Sequence, residues 1–332
     1  MQRKRKTFAS LVSPLGRISR PRQKVRERFS ITINMALSGK NMKLNMTKLA
    51  RLIAWVLLVS GRNTLFGYYA DQTWFYDVNY DNTTATLVQG YSYSSYTGSV
   101  TIPATVGGGR YIVTALGHDL FDNCTAITDV TLHSSIKEIG IGTFGYCSKL
   151  TYIYIPNGLE KIGSHAFSNC NSLKSINLPS SLRSIGNSAF NSCTSLTEIE
   201  LPANIISIGS GVFSGCTSLT NITISENNPY YKVVDGILLT KDGKEMISST
   251  GGRSSLDIPL TVTNIVDRLC YNNKNLTNLV IPGNVKTVGE WSFAFCGNIE
   301  NLILDEGIEC LSDSAFVKSR SEVSTSFFGC VV

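Results

Sequence analysis

From about residue 100 onward the apolar positions of the chain recur on a 23-residue cycle. One copy shows the pattern in full: Leu173, Ile176 and Leu178, then Pro179, then Leu182, Ile185, Gly186, Ala189, Phe190 and Cys193. The first part, L-x-x-I-x-L, alternates toward its end, as a strand with one buried face does. Proline closes it, because it cannot donate to a strand ladder. The second part has apolar residues every three or four positions. That spacing predicts short strands, 3-10 or single helical turns, with glycine at a tight corner. One such unit cannot bury its own apolar side, so copies must stack on one another. Nine strand slots end at Ile102, Leu132, Ile155, Leu178, Leu201, Ile224, Ile258, Ile281 and Leu304. At about 4.8 Å per parallel strand the stack is roughly 40 Å long.

Cysteine marks the register. Cys124, Cys147, Cys170, Cys193 and Cys216 stand 23 residues apart, and Asn273, Cys296 and Ser319 continue the slot further on. Cys270 is out of register and occupies the Phe slot. A position that accepts Asn and Ser is expected to be a small buried core position, with free thiols rather than disulfides. Cys310 and Cys330 fall outside the register and are the expected oxidisable thiols.

Two stretches depart from the cycle. Extra residues near Gly107-Gly108-Gly109-Arg110-Tyr111 read as a flexible glycine loop; no G-x-x-x-x-G-K-S/T phosphate signature accompanies them. Between Ile224 and Ile258 lie 34 residues instead of 23. Asp242-Gly243 between apolar runs there predicts a β-hairpin, a structural variant of the coil, over 225–257.

The unit L-x-x-I-x-I-P-x-x-L-x-x-I-G-x-x-A-F-x-x-C resembles the BspA-like leucine-rich repeat of secreted and surface proteins. The resemblance covers about residues 73 to 319. It implies a β-rich leucine-rich-repeat solenoid, with parallel strands stacked at the repeat period, short 3-10 or helical turns and an N-terminal β cap. It also implies adhesion or host-protein binding.

The ends read differently from the array. Trp74, Tyr76 and Val78, then Thr84, Thr86 and Val88, alternate with polar neighbours. They predict a hairpin turning at Asp81-Asn82 that caps the first coil, within a cap spanning 71–100. The Tyr/Ser-rich run 90–98 reads as a loop of that cap. The apolar run Leu52–Val59, preceded by Lys43, Lys48 and Arg51, reads as a secretory signal over 42–70, too short to span a bilayer. Its cleavage is expected between Ser60 and Ala70, leaving no membrane-spanning segment. Residues 1–41 are basic and read as disordered or as lying upstream of the true start; a nuclear or nucleic-acid-binding arm is the other reading. The solenoid is expected over 101–323, followed by a tail at 324–332.

Charge changes the picture once it is divided. Residues 1–51 hold 14 of the 30 Lys and Arg and a single acid, Glu27. From residue 52 onward there are 16 basic and 23 acidic residues. An acidic mature chain gives no electrostatic case for nucleic acid.

Chemistry is sparse. His118, His133 and His165 take different positions of the repeat, without metal-ligand spacing. His165 with Cys170 could be a nucleophile pair, but Cys170 is a core position of the repeat. No nucleophile elbow, carboxylate pair or nucleotide loop is present. The sequence therefore predicts no catalysis, metal or cofactor. Candidate contacts lie instead in two outward columns across the strands. One runs through Thr131, Tyr154, Asn177, Glu200, Thr223, Val280 and Ile303. The other runs through Asp129, Tyr152, Ser175, Glu198, Asn221, Asn278 and Asn301. Tyr152 and Tyr154 form an aromatic patch and Glu198 and Glu200 follow two coils along; these four, with Asn177, Thr131 and Asp129, are the predicted binding face. The expected partner is an extracellular protein of a host matrix or another cell surface, with a glycan as the alternative.

Overall fold

The computed structural model describes residues 66–68, 74–88 and 96–319. The signal, the basic segment, Cys330 and the tail lie outside the described residues. The chain winds as a solenoid of parallel strands in two ladders. A face sheet is built from Gly98–Thr101, Ile127–Thr131 and Tyr152–Tyr154, then Glu198–Leu201 and Asn221–Ile224, then Ser255–Asp257, Asn278–Ile281 and Asn301–Leu304. A return ladder of two-residue strands lies near the start of the second half-coils: Glu138–Ile139, Lys161–Ile162, Ser184–Ile185 and Ser207–Ile208, then Asn264–Ile265, Thr287–Val288 and Cys310–Leu311. Its register advances one coil at a time, Lys161 pairing with Glu138 and Ser184 with Ser207.

Eight of the nine expected strand slots carry a strand. The coil ending at Leu178 follows the same path, with Leu173 and Ile176 buried, but forms no strand. Its outward residues, Ser175 and Asn177, are small and polar and offer little surface for cross-strand packing.

The return half-coils contain no helix among the described residues. They are chains of turns, most with two left-handed residues, such as His165 (φ 57) with Asn169 (φ 61) and Ser188 (φ 54) with Ser192 (φ 58). Their N–H groups bond across to the next coil, Phe167 to Ala189 at 2.8 Å and Asn169 to Asn191 at 2.8 Å. These coil-to-coil bonds alternate with internal turn bonds, such as Ser168 to His165 at 3.1 Å and Cys170 to Phe167 at 3.2 Å.

The repeated glycine has a different role from the expected corner. Gly140 and Gly163 lack a left-handed φ. A Cβ on Gly163 would lie 2.6 Å from the Gly140 carbonyl carbon and from the Ile141 nitrogen. Glycine is needed because backbone meets backbone between coils.

Inside, Phe121, Phe144, Phe167, Phe190 and Phe213 form one stack, with centroid separations of 5.2, 5.4, 5.3 and 5.8 Å. The stack stops at Cys270 and resumes as Phe293–Phe316, 5.4 Å apart. Where Cys270 replaces phenylalanine, a buried Leu269 replaces the preceding small residue, and a small cavity remains between Phe213, Leu269 and Cys270. Cys147, Cys170, Cys193, Cys216 and Cys296 are free and buried, Cys124 is buried, and Cys310 is half-buried.

Residues 231–249 form three antiparallel strands, one more than a simple hairpin: Tyr231–Val234, Ile237–Thr240 and Glu245–Ser249. The first turn is Asp235-Gly236, both at positive φ (49° and 71°), the conformation that best matches hairpin twist. The insert divides the core. Leu238 and Ile247 pack into the first apolar cluster, Ile237, Leu239 and Met246 into the second. Its last strand rejoins the ladder by pairing Met246 with Ile265. The insert is thus part of the wall between two halves of the core.

At the other end, Phe75–Val78 and Thr84–Val88 pair antiparallel, and Thr84–Val88 extends the return ladder by pairing with Tyr111–Leu116. The three glycines make a tight turn rather than a flexible loop. Thr105–Val106 pairs antiparallel with Tyr111 and Ile112 around them, and Gly107, Gly108 and Gly109 hold φ of 70°, 67° and 86°.

Candidate interaction surface

The strand pleat decides which side chains face out. In Tyr152–Tyr154 the central Ile153 is buried, while Tyr152 and Tyr154 remain 53% and 49% exposed. In Glu198–Leu201 both glutamates are exposed and Ile199 and Leu201 are buried. The register brings the predicted columns together: Asp129 pairs with Tyr152 and Thr131 with Tyr154. Further on, Glu198 pairs with Asn221 and Glu200 with Thr223. Asn177 stays exposed but lies in the coil without a strand. Ser255 and Asp257, which the sequence columns omit, pair with Asn278 and Val280 and belong to them. Their signal was the shifted period after the insert.

A third outward column, one residue earlier, is committed to structure. The hydroxyls of Thr151 and Thr220 donate to the carbonyls of Thr128 and Thr197, at 3.0 and 3.2 Å. Thr277 repeats the bond to Ser254 at 3.1 Å. Asp129 is held by the hydroxyls of Thr128, at 2.6 Å, and Ser99, at 3.2 Å. The tyrosines and glutamates of the two outer columns are left facing solvent.

Ion pairs lie elsewhere. Lys161–Glu138 (2.8 Å), Lys286–Glu309 (3.0 Å) and Lys137–Glu160 (3.6 Å) all follow the return ladder. They match neighbouring coils and, being exposed, contribute little each.

The candidate nucleophile pair has a structural explanation. The Cys170 thiol donates to the Phe144 carbonyl at 3.2 Å, and burial raises its pKa well above the ordinary thiol value. It is a protonated core thiol. His165 occupies a left-handed turn position, and burial, then the Arg268 charge, lowers its pKa. Among the described residues no group of three or more His, Cys, Asp or Glu could hold a metal ion.

One buried polar residue escaped the sequence reading. Asn228 is fully buried; its amide donates to the carbonyls of Ala203 and Ile205, both at 2.9 Å, and its oxygen accepts the N–H groups of Tyr230 and Tyr231, both at 2.8 Å. It fastens the insert to the coil before it. The Tyr231 hydroxyl adds a second tie, accepting the N–H of Ile208 at 3.0 Å.

These features define a repeat protein that presents a rigid outer sheet. The chain belongs to the BspA type Leucine rich repeat region family, whose profile matches residues 114–232 and 243–328 in 6 copies. No curated protein matches it. Among solved structures, the pneumococcal vaccine antigen PcpA is similar, with a TM-score of 0.56 and 23% identity, covering 76% of this chain and 73% of that one. A leucine rich cell surface protein from Faecalibacterium prausnitzii A2-165 has a TM-score of 0.50 and 24% identity, over 76% and 86%. A leucine-rich repeat protein from Eubacterium ventriosum ATCC 27560 has a TM-score of 0.53 and 20% identity, over 74% and 73%. At these identities the likeness is one of fold.

Proposed function

We propose that this is an exported surface protein that adheres to a protein of a host matrix or of another cell through the outer columns of its face sheet. The observation that carries this reading is the pair Tyr152 and Tyr154. Two large aromatic side chains stand half-exposed on a ladder whose backbone is fixed by its neighbours. Rigid aromatic side chains lose little conformational entropy on binding and are enriched among interface hot spots. Family membership and the apolar run before the array support surface placement, with residues 42–70 acting as the export signal.

The test is binding of the full chain to purified extracellular matrix and to intact cells. Replacing Tyr152 and Tyr154 with alanine is expected to abolish it while leaving the fold intact by circular dichroism. Unchanged binding would sink the reading. Amino-terminal sequencing of the exported protein is expected to find a start between residues 61 and 71.

A further inference from the structure

The charge of the face sheet is one-sided. Across its three outward columns stand five carboxylates, Asp129, Glu198, Glu200, Asp257 and Glu300, against one ammonium, Lys174. The return ladder shows the contrast. There Glu138, Glu160 and Glu309 each have a lysine within 4 Å on a neighbouring coil. Glu198 and Glu200 are exposed and belong to no ion pair among the described residues. They also repeat the two positions held by Tyr152 and Tyr154, two coils along.

We infer that the occupant of this face is an extended cationic polypeptide segment, bearing Lys or Arg. This rests on the adhesive reading above. A guanidinium or ammonium gains from an aromatic face and from a carboxylate, so both pairs accept the same side chain. Lys174 sits in the coil between them, exposed, and disfavours a cation there. Favourable positions are therefore spaced two coils apart, about 10 Å at ~4.8 Å per strand. An extended chain with three residues per turn and a rise of about 3.1 Å brings every third side chain to one side, at about 9 Å spacing. The structure thus favours a segment with basic residues three apart, crossing the coils along the stack.

The experiment uses the full chain and three short probe peptides of equal length: arginine at every third position in a Pro/Ser background, the same arginines in one block, and glutamate at every third position. The spaced arginine peptide is expected to bind most tightly, less so at high salt, and the glutamate peptide not at all. Glu198→Gln with Glu200→Gln is expected to weaken the spaced peptide about tenfold or more, and Tyr152→Ala with Tyr154→Ala likewise. Glu138→Gln with Glu160→Gln, on the return ladder, should change nothing. Equal binding of the glutamate peptide, or indifference to the Glu198/Glu200 variant, overturns the inference. If no arginine peptide binds but the tyrosine variant still loses matrix binding, the cationic partner is wrong and the adhesive reading stands. If matrix binding ignores both face variants, both fall.

Discussion

The thiol of Cys193 donates to the carbonyl of Phe167, 3.1 Å away in the coil before. Cys147, Cys170 and Cys216 make the same bond to Phe121, Phe144 and Phe190, and Cys296 to the carbonyl of Cys270. Ser319 makes it with a hydroxyl, to Phe293 at 2.6 Å. In these coils the slot holds a small donor, not merely a small apolar residue; Asn273, in the same slot, instead accepts the N–H groups of Asn275 and Leu276 at 2.9 and 3.2 Å. Cys193→Ala should cost about 1–2 kcal/mol, because it removes a buried hydrogen bond and leaves a small void, while the Phe167 carbonyl keeps the N–H of Cys170 at 3.2 Å. Cys193→Ser should cost less, since it keeps the donor. Urea unfolding of both variants decides: an alanine milder than serine would mean that packing alone governs the slot.

Close approach of the coils predicts a contrast between two glycines. Gly163→Ala should destabilise by about 1–3 kcal/mol, because the new methyl meets the backbone of Gly140 and Ile141. At Gly297 nothing lies within 4 Å of a new Cβ, and Gly297→Ala should be close to neutral. Equal urea midpoints for the two variants would refute the steric account.

Asn228 ties the insert to the array. Asn228→Ala should lose at least about 2 kcal/mol, since buried donors and acceptors are left unpaired. Asn228→Asp should be no better, because a carboxylate would face the carbonyls of Ala203 and Ile205. Proteolysis is expected to cut first within 225–257 in both variants. A wild-type cleavage pattern would contradict this.

Asp81 supplies a pH dependence to the amino-terminal hairpin. Its carboxylate accepts the Thr84 hydroxyl at 2.6 Å and the N–H groups of Thr83 and Thr84, both at 2.8 Å. Those bonds, the Thr84 hydroxyl first, lower its pKa from 3.8 to about 2. A depressed carboxyl pKa stabilises the folded state above the unfolded value, and this contribution is lost as pH falls from about 4 to about 2. Hydrogen exchange of the Thr83 and Thr84 amides should show weakening protection over that window, and Asp81→Ala should remove the dependence. An unchanged profile in the variant would assign the effect elsewhere.

The 23-residue cycle, the strand positions and the inward residues were legible in the sequence because burial on one side of a strand imposes a period, and stacking repeats it. The insert was visible as a hairpin from Asp242-Gly243. That it has three strands and separates two cores was not, because the partners of Leu238 and Leu239 lie in different coils. The glycine was visible, but its reason was not: a corner and a close approach leave the same letter in the chain.

By itself the sequence determined a stacked repeat and the side chains turned outward, since both follow from local periodicity. The tertiary structure alone decided how those outward residues are used. It ties the threonine column into its own backbone, pairs the return-ladder glutamates with lysines, and leaves Tyr152, Tyr154, Glu198 and Glu200 facing solvent. Those assignments depend on neighbours one coil away, a distance in space that the order of residues does not record.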